Sequence, residues 1–228
     1  AKNIDDSVLI HINTTKGKGY KYAEEDESGY WHGASPFDIS TGKPTNVKED
    51  MISLSHVGGD AIYELLKKDE KAVLISPAMV KGSHLERCFN DFPSRCFDVG
   101  IEEEHALTFA AGLALKGNHP ILSIYATFLQ RGFDELLHDI CRQELNVLIV
   151  VDRAGLVGQD GSSHQGIFDV DMALGLPNIE VITPYSKERL VKEIVEHDFT
   201  SNRCTLVREE RTYVSSSEKI SDEDHLFF

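Results

Sequence analysis

The stretch PILSIYATFLQRGFDELLHDICRQELNVLIVV (120–151) decides the fold. It opens with a short apolar run, Pro120 to Tyr125, passes through a helical pattern, Leu129 to Gln143, and closes in Asn146 to Val151, apolar from Val147 onward. Strands that are apolar at every position are buried on both faces, and a helix between two of them is the crossover that parallel pairing needs. The same texture extends outward on either side. Gly59 to Asp69 reads as a helix with Ala61, Ile62, Leu65 and Leu66 on one face. Ala72 to Ile75 is a strand, Ser83 to Asp91 a helix and Arg95 to Val99 a strand. Glu103 to Lys116 has helical spacing with Gly117 as its C-terminal cap. Ile179 to Ile182, Lys187 to Glu196 and Cys204 to Val207 complete the series. The expectation is an α/β domain with a mostly parallel sheet and helices on both faces.

Upstream the texture differs. Ser7 to Ile12 reads as a buried strand with nothing before it to pair with, which favours a cut chain. Residues 13 to 50 are irregular and rich in glycine and charge, with the single tryptophan, Trp31, beside His32. A loop of that length is a functional segment or a linker. The expected division is therefore 1–50 and 51–228. A length of 228 residues suits one ordinary α/β domain plus a flanking segment. The net charge of −15 excludes a general nucleic-acid backbone binder, and an anionic small molecule would need local arginines to reverse the field. No apolar run approaches the roughly 18 residues of a membrane span, and no signal-peptide pattern opens the chain. Cys88, Cys96, Cys141 and Cys204 form no C-x-x-C pair, so they read as free thiols and point to a reducing cytoplasm.

In open α/β sheets ligands bind beyond the carboxyl ends of the strands, and three such ends carry chemistry. Ile101 to His105 follows the strand ending at Val99, Tyr125 to Arg131 the next, and Asp152 to His164 the third, with four glycines. Plainer readings stand beside the functional one. An acidic triplet suits any helix N-terminus, and Tyr125 and Phe128 suit a core. A polar glycine-rich loop straight after an apolar strand is more often functional. G-x-G-x-x-G and G-x-x-x-x-G-K-[ST] do not occur, and no G-x-S-x-G elbow exposes a serine.

At these residues the chain resembles a known family. FDVGIEEEHALTFAAGLAL (97–115), IYATFLQRGFDELLHDI (124–140) and VDRAGLVGQDGSSHQGIFDV (151–170) are similar, in order and separation, to segments of the 1-deoxy-D-xylulose 5-phosphate synthases. TTKGKGYKYAEED (14–26) and WHGASPFDISTGK (31–43) resemble the end of that family's first domain and its linker. The resemblance implies a thiamine-diphosphate-dependent, transketolase-like transferase that joins pyruvate and glyceraldehyde 3-phosphate with loss of CO₂, serving isoprenoid and thiamine precursor synthesis. Its cofactors would be thiamine diphosphate and Mg²⁺, and its fold the pyrimidine-binding module. Glu103 matches the glutamate that hydrogen-bonds the aminopyrimidine ring, Phe128 the aromatic packed on that ring, and Arg131 lies in the same string. Tyr20 matches a tyrosine lining the cofactor site, and His32 and His164 match histidines facing the reacting carbons, where imidazoles move protons near neutral pH. Tyr125, Arg153 and Asp160 match residues that hold the phosphorylated acceptor, with Arg211 the best match to a second phosphate-binding arginine. Arginine suits a phosphate because its planar fork makes paired charge-assisted bonds.

The chain departs from the family in places. Val207-Arg208-Glu209-Glu210-Arg211 stands where the family has RYPRG, Ser163-His164-Gln165-Gly166 where it has THHG, and Glu103-Glu104-His105 where it has EQH. No G-D-G…N string occurs, so the ligands for Mg²⁺ and the diphosphate are expected on a first domain outside these residues, with no metal ligand in this chain. A C-terminal domain has no counterpart either. The chain alone is therefore expected to be inactive, and to work as part of a homodimer or with a partner chain carrying the Mg/diphosphate module. Two other readings remain: a β-type subunit of a 2-oxo acid dehydrogenase, and a silent interaction module of the same fold. The wording DRAGLVGQDGSSHQG separates the first of these from the synthase, which it resembles far more.

Overall fold

Six strands pair wholly in parallel in the computed structural model, which describes residues 1–26, 30–45 and 50–215. The chain divides into two units, Ala1–Glu49 and Asp50–Phe228. Residues 216–228 of the expected second domain lie outside the described residues. The first unit holds one helical turn, α1 (Lys21–Glu24), a 3-10 turn at Tyr30–His32, and a bridge between Phe37 and Pro44. The second runs β1 (Met51–Ser53), α2 (Leu54–Lys68), β2 (Ala72–Ser76), α3 (Glu86–Asp91), β3 (Cys96–Asp98), α4 (Glu103–Leu115) and β4 (His119–Tyr125). It continues through α5 (Ala126–Leu129), α6 (Phe133–Glu135), β5 (Leu148–Ala154), α7 (Asp169–Leu174), β6 (Ile179–Ile182), α8 (Lys187–Val195), β7 (Cys204–Glu210) and β8 (Tyr213–Ser215).

The main sheet has the order β3-β2-β4-β5-β7-β6, and β1 pairs with β8 as a separate antiparallel ribbon. Successive strand residues point to opposite faces, and here each face meets its own core. Leu122, Ile124, Ile149, Val151 and Leu206 pack with Ala106, Leu107 and Ala110 of α4 and with Leu136 and Ile140. Ile121, Leu148, Val150 and Val207 pack on the other face with Ala61, Ile62, Leu65 and Leu66 of α2 and with Leu190 and Ile194 of α8. Burying a Leu- or Ile-sized side chain contributes roughly 1.5–3 kcal/mol, so every central strand is apolar at both alternations. All four cysteines are free and buried.

Several elements differ from the sequence expectation. No strand forms at Ser7–Ile12; Leu9 is 93% and Ile12 73% exposed, because an apolar run without a partner has nothing to bury against. Helix α2 starts at Leu54 rather than Gly59, capped by Ser53, whose Oγ accepts from the His56 N–H at 3.2 Å. Gly58 and Gly59 hid this start, since glycine ordinarily weakens a helix. The helix expected over Leu129–Gln143 is real but uneven: α5, a 3-10 turn at Gln130–Gly132, α6 and a wide π turn at Leu136–Cys141. A Cβ on Gly132 would lie 2.1 Å from Leu107 Cδ1, so the chain presses on α4 at that point. Helix α4 ends as expected: Gly117, at φ +79°, donates to Ala114 O and Asn118 N–H donates to Leu113 O, the paired bonds of a Schellman cap.

Candidate active site

Strand order reverses at β2, whose two neighbours are reached in opposite directions, and such a switch point opens a crevice at the carboxyl ends of the strands. The loops that converge there follow β2, β3, β4, β5 and β7. Glu103 is the first residue of α4 and is 1% exposed, whereas its neighbours Glu102 and Glu104 face solvent. A carboxylate at that position gains from the positive end of the helix dipole. Its Oε2 accepts from Arg131 Nη1 at 3.0 Å, a charge-assisted bond with one partner buried. The Arg131 guanidinium in turn lies 5.6 Å from the centre of the Phe128 ring. Phe128 stacks on Tyr125 (5.9 Å, 14° between planes) and meets the His164 ring edge-on at 5.4 Å. His164 Nδ1 and Ser163 Oγ share a hydrogen bond of 2.8 Å, and Thr127 Oγ1 donates to Ser163 O at 3.2 Å. The β4 and β5 loops are thereby tied together.

A second group continues from Tyr125. The Arg153 guanidinium stands 4.1 Å over the Tyr125 ring, and its Nη1 bonds Asp160 Oδ2 at 3.0 Å. Arg211 pairs with the other oxygen of the same carboxylate. One acid thus bridges two cations that would otherwise repel. Burial, and then the Arg153 charge, lower the Arg211 pKa, and burial pushes the Tyr125 phenol up to about 12. The β5 loop closes at a neck, where Gly155 N–H donates to Gly166 O at 2.7 Å and Gly166 N–H to Gly155 O at 2.9 Å. A side chain at Gly166 would strike Arg153 O at 2.5 Å, so glycine is required there. Arg208 of β7 holds the far side of the neck: Nε and Nη2 take both oxygens of buried Asp169 at 2.6 and 3.2 Å, and Nη2 also reaches Gly166 O at 3.4 Å. Beside these loops lies a cleft of about 260 Å³ lined by Ala126, Thr127, Ser163, Phe168 and Met172 among others.

Glu103, Arg131, Phe128, Tyr125, His164, Arg153, Asp160 and Arg211 therefore form one connected line at one edge of the sheet. Tyr20 and His32 belong to the first unit. There the Tyr20 ring meets Trp31 edge-on at 5.0 Å and its hydroxyl donates to Ile39 O at 3.0 Å, while His32 Nδ1 bonds Lys16 Nζ at 3.0 Å. Among the described residues no cluster of His, Cys, Asp and Glu has the grouping of a metal site. Reading the sequence missed Asp152, Asp169, Arg208 and Glu209. The available signal was charge where none belongs: a carboxylate closing an all-apolar strand, and a glutamate within a buried one.

Comparison with known proteins accords with this geometry. The family model described as "Transketolase, pyrimidine binding domain" matches residues 50–215. The chain is 50% identical over 184 residues to a 1-deoxy-D-xylulose-5-phosphate synthase of Shouchella clausii, covering 81% of this chain and 29% of that protein. It is 48% identical over 202 residues to the same-named protein of Listeria monocytogenes (89% and 33% covered) and 47% over 201 residues to that of Bacillus licheniformis (87% and 32%). The chain spans about a third of the length of these curated relatives. Among solved structures, "Split gene transketolase, inactive beta4 tetramer" matches at TM-score 0.63 and 29% identity, over 78% of this chain and 56% of that one. A Campylobacter jejuni transketolase matches at TM-score 0.65 over 75% of this chain and 28% of that one, a likeness of fold at 17% identity. By the model that matches residues 50–215, this chain belongs to the transketolase pyrimidine-binding domain family.

Proposed function

We propose that this chain is the pyrimidine-binding part of a thiamine-diphosphate-dependent synthase that condenses pyruvate with glyceraldehyde 3-phosphate to 1-deoxy-D-xylulose 5-phosphate, releasing CO₂. The observation that carries the reading is the unbroken line from the buried Glu103–Arg131 pair through Phe128 and Tyr125 to the two arginines that share Asp160. The residues suit the cofactor: a carboxylate 1% exposed beside an aromatic face accepts a hydrogen bond from a protonated ring nitrogen, and so favours the imino tautomer, in a dry setting. When bound, thiamine diphosphate supplies the carbanion chemistry that makes and breaks the carbon–carbon bonds. Glu103 accepts that hydrogen bond, Arg131 orients its carboxylate, and Phe128 covers the pyrimidine face. Tyr125, Arg153, Asp160 and Arg211 hold the acceptor's phosphate, with Asp160 releasing the guanidinium groups to it. His164, fixed by Ser163, moves protons at the reacting carbons, and Tyr20 and His32 take the cofactor-lining and proton-moving roles that the resemblance implies for them. Mg²⁺ and the diphosphate belong to a first-domain module outside these residues, carried by the complete homodimeric enzyme or by a partner chain, and the assembly works in the cytoplasm. The domain division 1–50 and 51–228 follows the same reading. A 2-oxo acid dehydrogenase subunit is disfavoured, since the curated relatives compared carry the synthase name.

The direct test is Glu103→Gln in the complete enzyme. Glutamine keeps the size, so packing and substrate affinity stay close to wild type, but it offers no carboxylate. Catalysis is expected to fall by at least a factor of about 100, the low end of acid–base contributions. Deuterium exchange at the cofactor's reactive C–H, followed by NMR, is expected to slow in parallel. Exchange at the wild-type rate would sink the assignment.

A further inference from the structure

Beneath the two arginines lie buried acids that the proposed reaction does not use. Asp152 is wholly buried, and both of its oxygens are occupied. Oδ1 accepts from Ser55 Oγ of α2 at 2.8 Å and from the Arg153 backbone N–H at 2.7 Å, and Oδ2 accepts from Ser83 Oγ at 3.0 Å. Glu209 of β7 is 2% exposed, and its Oε1 has no hydrogen-bond partner among the described residues. It fits only because α2 carries a glycine opposite: a Cβ on Gly58 would stand 1.8 Å from Oε1. The strand register brings the two acids together. Val151 pairs with Arg208 and Ala154 with Glu210, so Asp152 and Arg153 on β5 oppose the single residue Glu209. That is a bulge, and Arg153 sits in it at φ +57°, a conformation that L side chains rarely adopt.

Two ionised carboxylates cannot share a dry site without compensation. Asp152 has three donors to stabilise a charge, and Glu209 has an empty oxygen. The pKa of each is raised, first by burial; that of Glu209 is raised well above the ordinary carboxylate range, with the Asp152 charge adding to it, whereas the two serines pull Asp152 back down. The other groups that feel this charge are His84 from the loop before α3, whose pKa burial lowers, Tyr125 from β4, and Arg153 and Arg211. His56 and Asp60 of α2 lie beyond His84, and Arg208 is turned toward Asp169. No cation bonds Glu209 directly among the described residues.

We propose that Asp152 and Glu209 are a one-proton acid pair that positions the anion-binding arginines, the proton resting on Glu209 and the charge on Asp152. The Asp152 carboxylate grips the Arg153 backbone in the bulge. Neutral Glu209 lets β7 lie against α2, so that Arg211 arrives opposite Arg153. Ionisation of Glu209 puts a second charge beside the first and loosens that register, so affinity for an anionic ligand falls as the solution turns alkaline. The identity of that ligand as a sugar phosphate rests on the function proposed above, whereas the pair itself does not.

Two sets of measurements, on the chain and on the complete enzyme, separate these claims. On the 228-residue chain, the infrared carbonyl stretch of a protonated carboxyl is expected at pH 7 and is expected to vanish in Glu209→Gln. Glu209→Gln is also expected to unfold at a higher temperature than wild type, by a margin that widens from pH 5 to pH 9. The sign follows from the raised folded-state pKa: the native protein keeps a proton that the unfolded chain gives up, so wild type loses stability with rising pH and glutamine does not. A band that survives the substitution, or a margin that does not widen, overturns the pair. In the complete enzyme, Asp152→Asn is expected to raise KM for glyceraldehyde 3-phosphate about tenfold or more, the worth of one lost charge-assisted bond, while KM for pyruvate stays. Wild-type acceptor KM is expected to rise at alkaline pH, and Glu209→Gln to flatten that rise. Equal changes for both substrates, or an unchanged alkaline rise, overturn the positioning role. An enzyme that does not take this acceptor at all defeats only the functional reading, since the infrared and unfolding results need no substrate.

Discussion

Arg153 holds a left-handed backbone conformation that costs roughly 1–3 kcal/mol and persists only where surroundings enforce it. Here the enforcers are Asp152, which takes its N–H, and the Tyr125 ring beneath its guanidinium. Such strain is retained where a side chain must be aimed, which is why we read Arg153 as an anion ligand rather than a structural cation. In the complete enzyme, Arg153→Ala is expected to raise KM for glyceraldehyde 3-phosphate by about 10- to 150-fold, equivalent to losing one hydrogen bond to a charged group. KM for pyruvate should change by much less, and steady-state kinetics with both substrates varied reads the difference. At this scale motif wording at Glu103, Phe128 and Arg153 pointed to the strand ends, and these residues do gather at one edge of the sheet. The sequence was illegible at Asp152 and Glu209, because nothing local says that two carboxylates distant in the chain share one dry space.

Elements were legible where both faces of a strand are buried, since β4 and β5 are then apolar on both alternations, interrupted within Pro120–Tyr125 by Ser123 and after Val151 by Asp152 and Arg153. Three were not. The start of α2 was hidden by a glycine pair that close packing against Glu209 and the Ser83–His84 backbone requires. Helix α7 is short and gains its hold from Asp169 gripping Arg208, a contact from another strand. The ribbon of β1 with β8 joins segments more than 150 residues apart, with three residues on each side. At the amino ends of β4 and β5, opposite the site, His197 at the end of α8 bonds Asn146 Oδ1 at 2.8 Å. Phe199 packs between His197, edge-on at 4.5 Å, and His119, stacked at 4.5 Å. Burial pushes the His197 pKa from 6.5 down to about 4, aided by the charges of His119 and Arg203. The native state therefore needs this ring neutral, while the unfolded chain protonates it below about pH 6.5. Stability from this group is full above that value and drains as pH falls toward about 4, by roughly 3–3.5 kcal/mol in all. Chemical denaturation at a series of pH values should show wild type losing this increment and His197→Gln losing much less; parallel profiles would refute the assignment.

For the whole molecule, the net charge of −15 sets the terms. A pyrophosphate approaching an acidic protein needs cations, and those gathered here are paired, Arg131 with Glu103 and Arg153 and Arg211 with Asp160, the last two being assigned above to the acceptor's phosphate. Among the described residues there is no cluster with which to bring in a divalent ion instead. On the function proposed above, the described residues would offer a pyrimidine ring a buried carboxylate and an aromatic face, and the diphosphate nothing comparable. Since most of a charged cofactor's affinity comes from its charged end, we expect isolated 228-residue protein to bind thiamine diphosphate at least about 100-fold more weakly, ~3 kcal/mol, than an assembly that supplies a Mg²⁺-diphosphate module in cis or in trans. Isothermal calorimetry with Mg²⁺ present, first on the chain alone and then with the complementing polypeptide, measures that difference. Glu103→Gln should weaken the assembly's affinity only modestly, because the carboxylate acts on reactivity more than on hold. Tight, Mg²⁺-dependent binding by the chain alone would mean that a cation site exists which the surface charges do not disclose, and the division of labour proposed here would have to be withdrawn.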